Sequence, residues 1–301
     1  MKTIKNRNNS PFNTTRKRTQ KPLIFEKLPK CSRSRIYDMT TYKVNCGKNL
    51  LLGYKSIKAA EETSMDKDNF VHVIMAKLKH YNEPVVVKIY DSENRHLKIE
   101  LKILEKIQDY RNTARLICHF SCKDDKNNYF RKIMKPIRFC SNGSHPFHYF
   151  VYEYIATGDI SDFFTKNTDT NLIKSFVLQI TAVIIQLASI YRICHGDINS
   201  GNIMIDTTEE KTLDYTIDGK TYTIETHGII PKMIDYGKSK FYRDTIVSPN
   251  DVWDDIIIML VVLNRYYEND QFTKNIRNLY ELNFSTFTDC YLYVRDIILN
   301  I

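Results

Sequence analysis

Hydrophobic positions change period several times along the chain. The runs at 50–60 (LLLGYKSIKAA), 70–78 (FVHVIMAKL) and 83–90 (EPVVVKIY) are rich in strand-forming residues and separated by polar turns, which predicts an antiparallel sheet. From Arg95 to Gln108 the spacing lengthens: Leu97, Leu101, Leu104 and Ile107 form one apolar stripe with charges elsewhere, the pattern of an amphipathic helix. Two more strand-like runs follow, ARLICHF and HYFVYEYI, separated by a polar stretch that contains the turn sequence SNGSHP. Between Leu172 and Tyr191 apolar residues are dense enough on the helical period to predict a helix buried on most sides, the core of a helical lobe. Residues 213–226 alternate around Asp218-Gly219, a pair favoured in a type I′ turn, and predict a β-hairpin. A second strongly apolar helix is predicted over 251–267.

Four residues beyond Tyr191 the chain reads His195-Gly196-Asp197-Ile198-Asn199-Ser200-Gly201-Asn202, followed by the apolar run IMI. Thirty-three residues beyond Asn202, Met233-Ile234 leads into Asp235-Tyr236-Gly237. In spacing, and in having a helix before and a strand after, this set resembles the protein-kinase superfamily, with its HxDxxxxN catalytic loop and DFG metal loop. The resemblance implies an α+β, two-lobed protein-kinase-like fold over 36–301, with a small β-rich N-lobe (about 36–154) and a trimmed helical C-lobe (about 155–301).

Phosphoryl transfer needs metal ions on the phosphate oxygens, a group that orients the attacking hydroxyl and a cation on the inner phosphates. By resemblance, Asp197 would orient the hydroxyl, Asn202 and Asp235 would hold Mg²⁺ through oxygen, and Lys88 would reach the α- and β-phosphates of ATP. Glu100 would pair with Lys88; Glu105 is the competing choice, on another side of the helix, and the register relative to Leu104 favours Glu100. FVYEYIATGD resembles the segment joining the lobes, where backbone groups of Glu153 and Ile155 would meet the adenine edge, Tyr152 would guard the deeper pocket and Asp159 would contact the ribose. Asp251, with Trp253, resembles the helix start whose aspartate braces the catalytic loop; capping its own helix is the plainer reading.

The family pattern breaks in several places. No GxGxxG occurs, and the glycines between the basic tail and Lys88 are Gly47 and Gly53, so Gly53 is the remaining candidate for close backbone approach to the phosphates. Gly196 replaces the arginine that usually meets a phosphorylated activation segment, so activation by such phosphorylation is not expected. Asn199 stands where serine/threonine kinases place a lysine that touches the transferred phosphate. Fifteen residues separate Asp235 from Asp251, with Ser248-Pro249 where a longer segment would end, so the peptide platform is reduced. HGDINSGN is also similar to the loops of small-molecule kinases. The favoured reading is a serine/threonine protein kinase that transfers the ATP γ-phosphate to a protein hydroxyl, supported by the FVYEYI hinge, the KIELKIL helix and the DYG triplet. The alternatives are a nucleotide-binding pseudokinase scaffold and a small-molecule kinase of the aminoglycoside or sugar type.

Charge changes this picture only at one end. Of the formal +9, residues 1–35 hold eleven Lys or Arg against Glu26, so the rest of the chain is nearly neutral. That segment has the composition of a disordered arm. It reads as a plain solvated arm, a nuclear-targeting segment, or a dock for nucleic acid or an acidic partner. Seven scattered cysteines without a signal sequence predict reduced thiols. Cys118, Cys122, Cys140, His145 and His148 lack a CxxC pair, so buried thiols and loop histidines are expected there rather than zinc. No apolar run is expected to span a bilayer, and an intracellular setting, cytoplasmic or nuclear, follows. The abundance of Ile, Lys, Asn and Tyr with the trimmed lobe is similar to kinases of large DNA viruses, which would place the protein in a host cell or virion. Deleting residues 1–35 is expected to leave the melting temperature and intrinsic phosphotransfer unchanged while altering location or substrate docking. A large fall in melting temperature would show instead that the arm packs on the body.

Overall fold

Five of the strand-like runs pair into one antiparallel sheet in the computed structural model of the chain. The structure describes residues 56–58, 71–77, 83–91, 95–123, 146–167, 169–243, 245–266, 270–277 and 279–300. The expected arm and Gly47, Gly53, Cys140 and His145 lie outside the described residues. The strands are β1 (Ser56–Lys58), β2 (Val71–Lys77), β3 (Pro84–Asp91), β4 (Leu116–Lys123) and β5 (Pro146–Glu153), in the order β1-β2-β3-β5-β4. Lys88 lies opposite Phe150 of β5, and Val86 opposite Tyr152. Directly opposed residues share a face, so Val86, Lys88, Tyr90, Phe150 and Tyr152 stand together while Val85, Val87 and Val151 pack on the other side.

Helix α1 (Arg95–Ile107) lies between β3 and β4 in the chain and buries Leu97, Leu104 and Ile107, as the stripe predicts, together with Ile103 and Glu100. The following segment docks on the helical half of the molecule. Tyr110 Oη donates to Gln186 Oε1 at 2.8 Å, Asn112 Nδ2 to Pro231 O at 2.8 Å, and Met233 N to Asn112 O at 2.8 Å.

The second half is helical around α3 (Thr170–Ser189), preceded by the short α2 (Ile160–Phe164) and followed by α4 (Pro249–Asn264), α5 (Asp270–Arg277) and α6 (Phe287–Leu299). Short strands interrupt it: β6 (Ile193–Cys194) pairs with β11 (Lys240–Phe241), β7 (Ile203–Thr207) with β10 (Ile229–Met233), and β8 (Thr212–Ile217) with β9 (Lys220–Glu225). The β8–β9 turn has positive φ at Asp218 (47°) and Gly219 (77°), as a type I′ turn requires.

The expectation that no run could span a bilayer needs correcting, because α3 is long and apolar enough by length and composition. Its surface is nevertheless used inside the protein. Gln179 Nε2 donates to Ser175 Oγ and Ile229 O, Ser175 Oγ to Glu225 O, and Gln186 Nε2 to Thr216 O. Ser175, Gln179 and Gln186 on this core helix thus meet partners that fix it against β8–β10, as burial demands.

Gly158, in the linker between the lobes, has φ +95°, and a Cβ there would lie 2.8 Å from Asp162 Cβ. Its carbonyl accepts from Ile205 N at 2.9 Å, which ties the linker to β7. Gly158→Ala is expected to cost about 1–3 kcal/mol, read as a lowered urea midpoint; an unchanged midpoint would mean the linker relaxes without cost.

Candidate active site

The site starts from a buried charge. Glu100 is 1% exposed on the inner face of α1, whereas Glu105 is exposed, so the register argument for Glu100 holds. A carboxylate withdrawn from water needs several donors to remain charged. Lys88 Nζ donates to both of its oxygens, at 2.9 and 3.2 Å, and Tyr152 Oη to Oε1 at 2.8 Å. Tyr90 Oη donates to Oε2. Strand alternation explains why these groups meet, since Lys88, Tyr90 and Tyr152 share one face of the sheet.

Lys88 also reaches Asp235 Oδ1 at 2.6 Å. Burial opposes the Lys88 charge, but Glu100 and Asp235 outweigh it and hold its pKa above the usual lysine value. Burial likewise opposes the charged form of Asp235, and the Lys88 ammonium overcomes it, keeping the carboxyl below its usual value. Burial first, then Glu100, pushes both Tyr90 and Tyr152 well above the ordinary phenol value, so they stay protonated donors.

Asp235 itself is left-handed, with φ 64°, a conformation uncommon for a residue with a side chain, and it caps the single 3₁₀ turn Tyr236–Lys238. Buried neighbours hold that turn. Tyr236 Oη shares a 2.5 Å hydrogen bond with Thr113 Oγ1, and His96 Nδ1 donates to Gly237 O at 2.6 Å. Lys102 and Lys106 of α1 lie 4.2 and 4.5 Å from the Phe241 ring, so α1 is also fastened to β11.

The loop 195–202 lies across from this cluster. Asn202 Nδ2 donates to Asp197 O at 2.8 Å and to Asp197 Oδ2 at 3.3 Å, and Ile234 N donates to Asn202 O at 3.0 Å. His195 Nε2 donates to Ile234 O at 2.9 Å, with its ring 5.2 Å from that of Tyr236. The two motif loops are thereby bonded to each other. The arrangement can bind a polyphosphate at Lys88, offer oxygen ligands at Asn202 and Asp235, and hold a carboxylate at Asp197 beside them.

Residues 60–231 of the 301 match the family model for protein tyrosine and serine/threonine kinases. The chain belongs to the protein kinase family. A mouse serine/threonine-protein kinase haspin is 38% identical over 94 residues, 31% of this chain and 12% of that protein. A bovine serine/threonine-protein kinase haspin is 37% identical over 82 residues, 27% of this chain and 10% of that protein. An uncharacterized Caenorhabditis elegans protein is 56% identical over 45 residues, 15% of each chain. The matched segments therefore span a small fraction of these relatives' length.

Of the two readings of Asp251, the structure bears out the plainer one. Asp251 does not brace the catalytic loop; it forms a capping box with Ser248 at the start of α4. Asp255, one turn later, accepts from His195 N at 2.9 Å and Gly196 N at 3.1 Å. Burial pushes its pKa up even though those amides stabilise the charged form. The sequence did hold a signal: Asp255 falls on the buried stripe with Val252, Ile256 and Met259, where a charge requires a partner.

The nucleotide-side expectations divide. Glu153 N donates to Arg115 O at 3.0 Å and its carboxylate takes Lys232 at 2.5 Å, so an adenine contact from Glu153 would fall to its carbonyl. Asp159 Oδ1 caps α2, accepting from Asp162 N and Ser161 Oγ. Ile155 is buried beside them in the linker. Gly196 has φ +70°, which favours glycine at this bend of the loop. Among the described residues no cluster of three His, Cys, Asp or Glu side chains is placed to hold a metal.

Asp255→Ala is expected to destabilise by about 1–3 kcal/mol, because the amides of buried His195 and of Gly196 lose their acceptor. Asp251→Ala should cost less, since a helix end can be rehydrated. Thermal unfolding of both variants checks the order, and an equal or reversed ranking would restore Asp251 as the brace.

Proposed function

We propose that this protein is an ATP- and Mg²⁺-dependent serine/threonine protein kinase. The observation that carries the reading is the convergence of Lys88, paired with Glu100, on Asp235, beside an Asp197 carboxylate held by Asn202. The haspin relatives, named as serine/threonine-protein kinases, support the protein-directed choice over a small-molecule substrate.

The donor chemistry fits magnesium. Asn202 commits its amide nitrogen to Asp197, which leaves its oxygen as the end outside that contact, and Asp235 brings a carboxylate. With nucleotide phosphates and water completing the shell, these hard oxygens suit Mg²⁺, which supplies charge neutralisation on the phosphates. Lys88 would hold the inner phosphates, oriented by Glu100. Asp197 would orient the acceptor hydroxyl and take its proton. Gly196 offers no guanidinium to a phosphorylated segment, so activity should not depend on prior phosphorylation. The substrate would be a protein in an intracellular setting, with the arm at 1–35 as a proposed dock for an acidic or nucleic-acid partner.

Asp235→Asn is expected to abolish Mg²⁺-dependent nucleotide binding. Asp197→Asn should keep binding and lower turnover by about 10²–10⁴-fold, the usual range for a positioned base. Radiolabelled ATP with Mg²⁺ provides the test, using Asp197→Asn as background because Lys88→Ala would leave Glu100 buried without its cation. Label on Ser or Thr of protein above that background supports the reading. No protein label would favour the pseudokinase, and label confined to an aminoglycoside or sugar would favour the small-molecule kinase.

A further inference from the structure

The position that would ordinarily bring a lysine to the transferred phosphate is occupied by Asn199, and its side chain is spent on the loop itself. Asn199 Oδ1 accepts from Gly201 N at 3.0 Å and its Nδ2 donates to Asp197 O at 3.1 Å, capping the turn Ser200–Asn202. It is neutral and bonded to backbone on both ends. The catalytic loop therefore brings no cation of its own to the space in front of Asp197.

A cation arrives from the other motif loop. Lys238 Nζ lies 3.1 Å from Asp197 Oδ1, while the second carboxylate oxygen, Oδ2, meets Asn202 Nδ2 at 3.3 Å. Lys238 is the last residue of the turn that begins after Asp235. One short turn thus places Asp235 against Lys88 and presents Lys238 to Asp197.

We propose that Lys238 supplies the cation for the transferred phosphoryl group, replacing the catalytic-loop lysine that Asn199 displaced; this assignment rests on the kinase reading above. Stability is a poor reason for the contact. The Lys238 side chain is 61% exposed and that of Asp197 27%, and ion pairs this open to solvent contribute little to folding. An ammonium held so weakly can pivot to a phosphate oxygen when the cleft fills. Its base is fixed, because Tyr236 is buried against Thr113 and Gly237 O is bonded to His96.

In the transfer step a bond forms between the acceptor hydroxyl oxygen and the γ-phosphorus. The bond from that phosphorus to the β–γ bridging oxygen breaks, and its electron pair leaves with ADP. The hydroxyl proton passes to the Asp197 carboxylate. Lys238 stays protonated throughout and offsets negative charge on the γ-phosphoryl oxygens and on Asp197, a preorganised electrostatic role.

The test is steady-state kinetics on the full chain with radiolabelled Mg·ATP, and with protamine and casein as acceptors. Lys238→Ala is expected to lower kcat by about 10²-fold, the scale of losing one preorganised donor, with the KM for ATP changed less than about threefold. Lys238→Arg should recover part of kcat, and so should Asn199→Lys placed in the Lys238→Ala background. Unchanged or raised kcat in Lys238→Ala would overturn the proposal, the latter marking the contact as a lock on Asp197. Loss of kcat that neither replacement cation restores would overturn it as well, in favour of a structural role. A wild-type protein that labels nothing would sink the kinase reading and this assignment with it. An active wild type matched by Lys238→Ala would sink only the Lys238 role.

Discussion

The buried carboxylate of Glu100 is the constraint on which the rest of the site depends. A charged group with 1% exposure is tolerated only where donors replace water, and here Lys88, Tyr90 and Tyr152 do so from two neighbouring strands. Satisfying it sets the register of β3 against β5 and the rotation of α1 over the sheet. It also aims Lys88 at Asp235, since the ammonium has donors to spare beyond the carboxylate it pairs with. Removing one member of such a pair costs about 3–5 kcal/mol because the other charge is stranded.

The second half of the site uses the same logic at the backbone. Asp255 collects the amides of His195 and Gly196, and His195 passes a hydrogen bond to Ile234 O just before Asp235. The loop 195–202 and the turn after Asp235 are therefore shaped by one another, the first resting on α4 through Asp255 and the second bonded to α1 through His96. Tyr236, between His195 and Thr113, joins this assembly to the segment after α1. The functional groups sit on short, irregular stretches whose positions are fixed by buried polar contacts rather than by regular secondary structure.

What could be read from the sequence follows from range. Local signals were legible: the strand runs, the α1 stripe, the Asp218-Gly219 hairpin and the dense apolar pattern of α3 each depend on neighbours a few residues away. The motif spacing brought Asp197, Asn202 and Asp235 into view, Lys88 followed by resemblance from its place in VVVKIY, and Glu100 from register. Contacts between distant segments were not legible. Nothing near Tyr90 or Tyr152 announces that their hydroxyls meet Glu100, and Lys238 acquires a role only when the turn after Asp235 is laid against Asp197. Resemblance at the helix start pointed to Asp251 for the brace, where helix capping was the plainer reading and is what the residue does, whereas Asp255 is marked by its place on the buried stripe of α4.

The hydroxyl of Tyr152 has a consequence for small molecules that would enter behind the linker. Its bond to Glu100 at 2.8 Å anchors the ring between the sheet and α1. Swinging the ring aside would strip a donor from a carboxylate that water cannot reach. An apolar extension of a ligand offers nothing in exchange and would carry that full desolvation cost. A ligand that displaced this ring would have to bring a hydroxyl, amide or amine to Glu100, so selectivity there would be a matter of replacing a donor rather than of finding room.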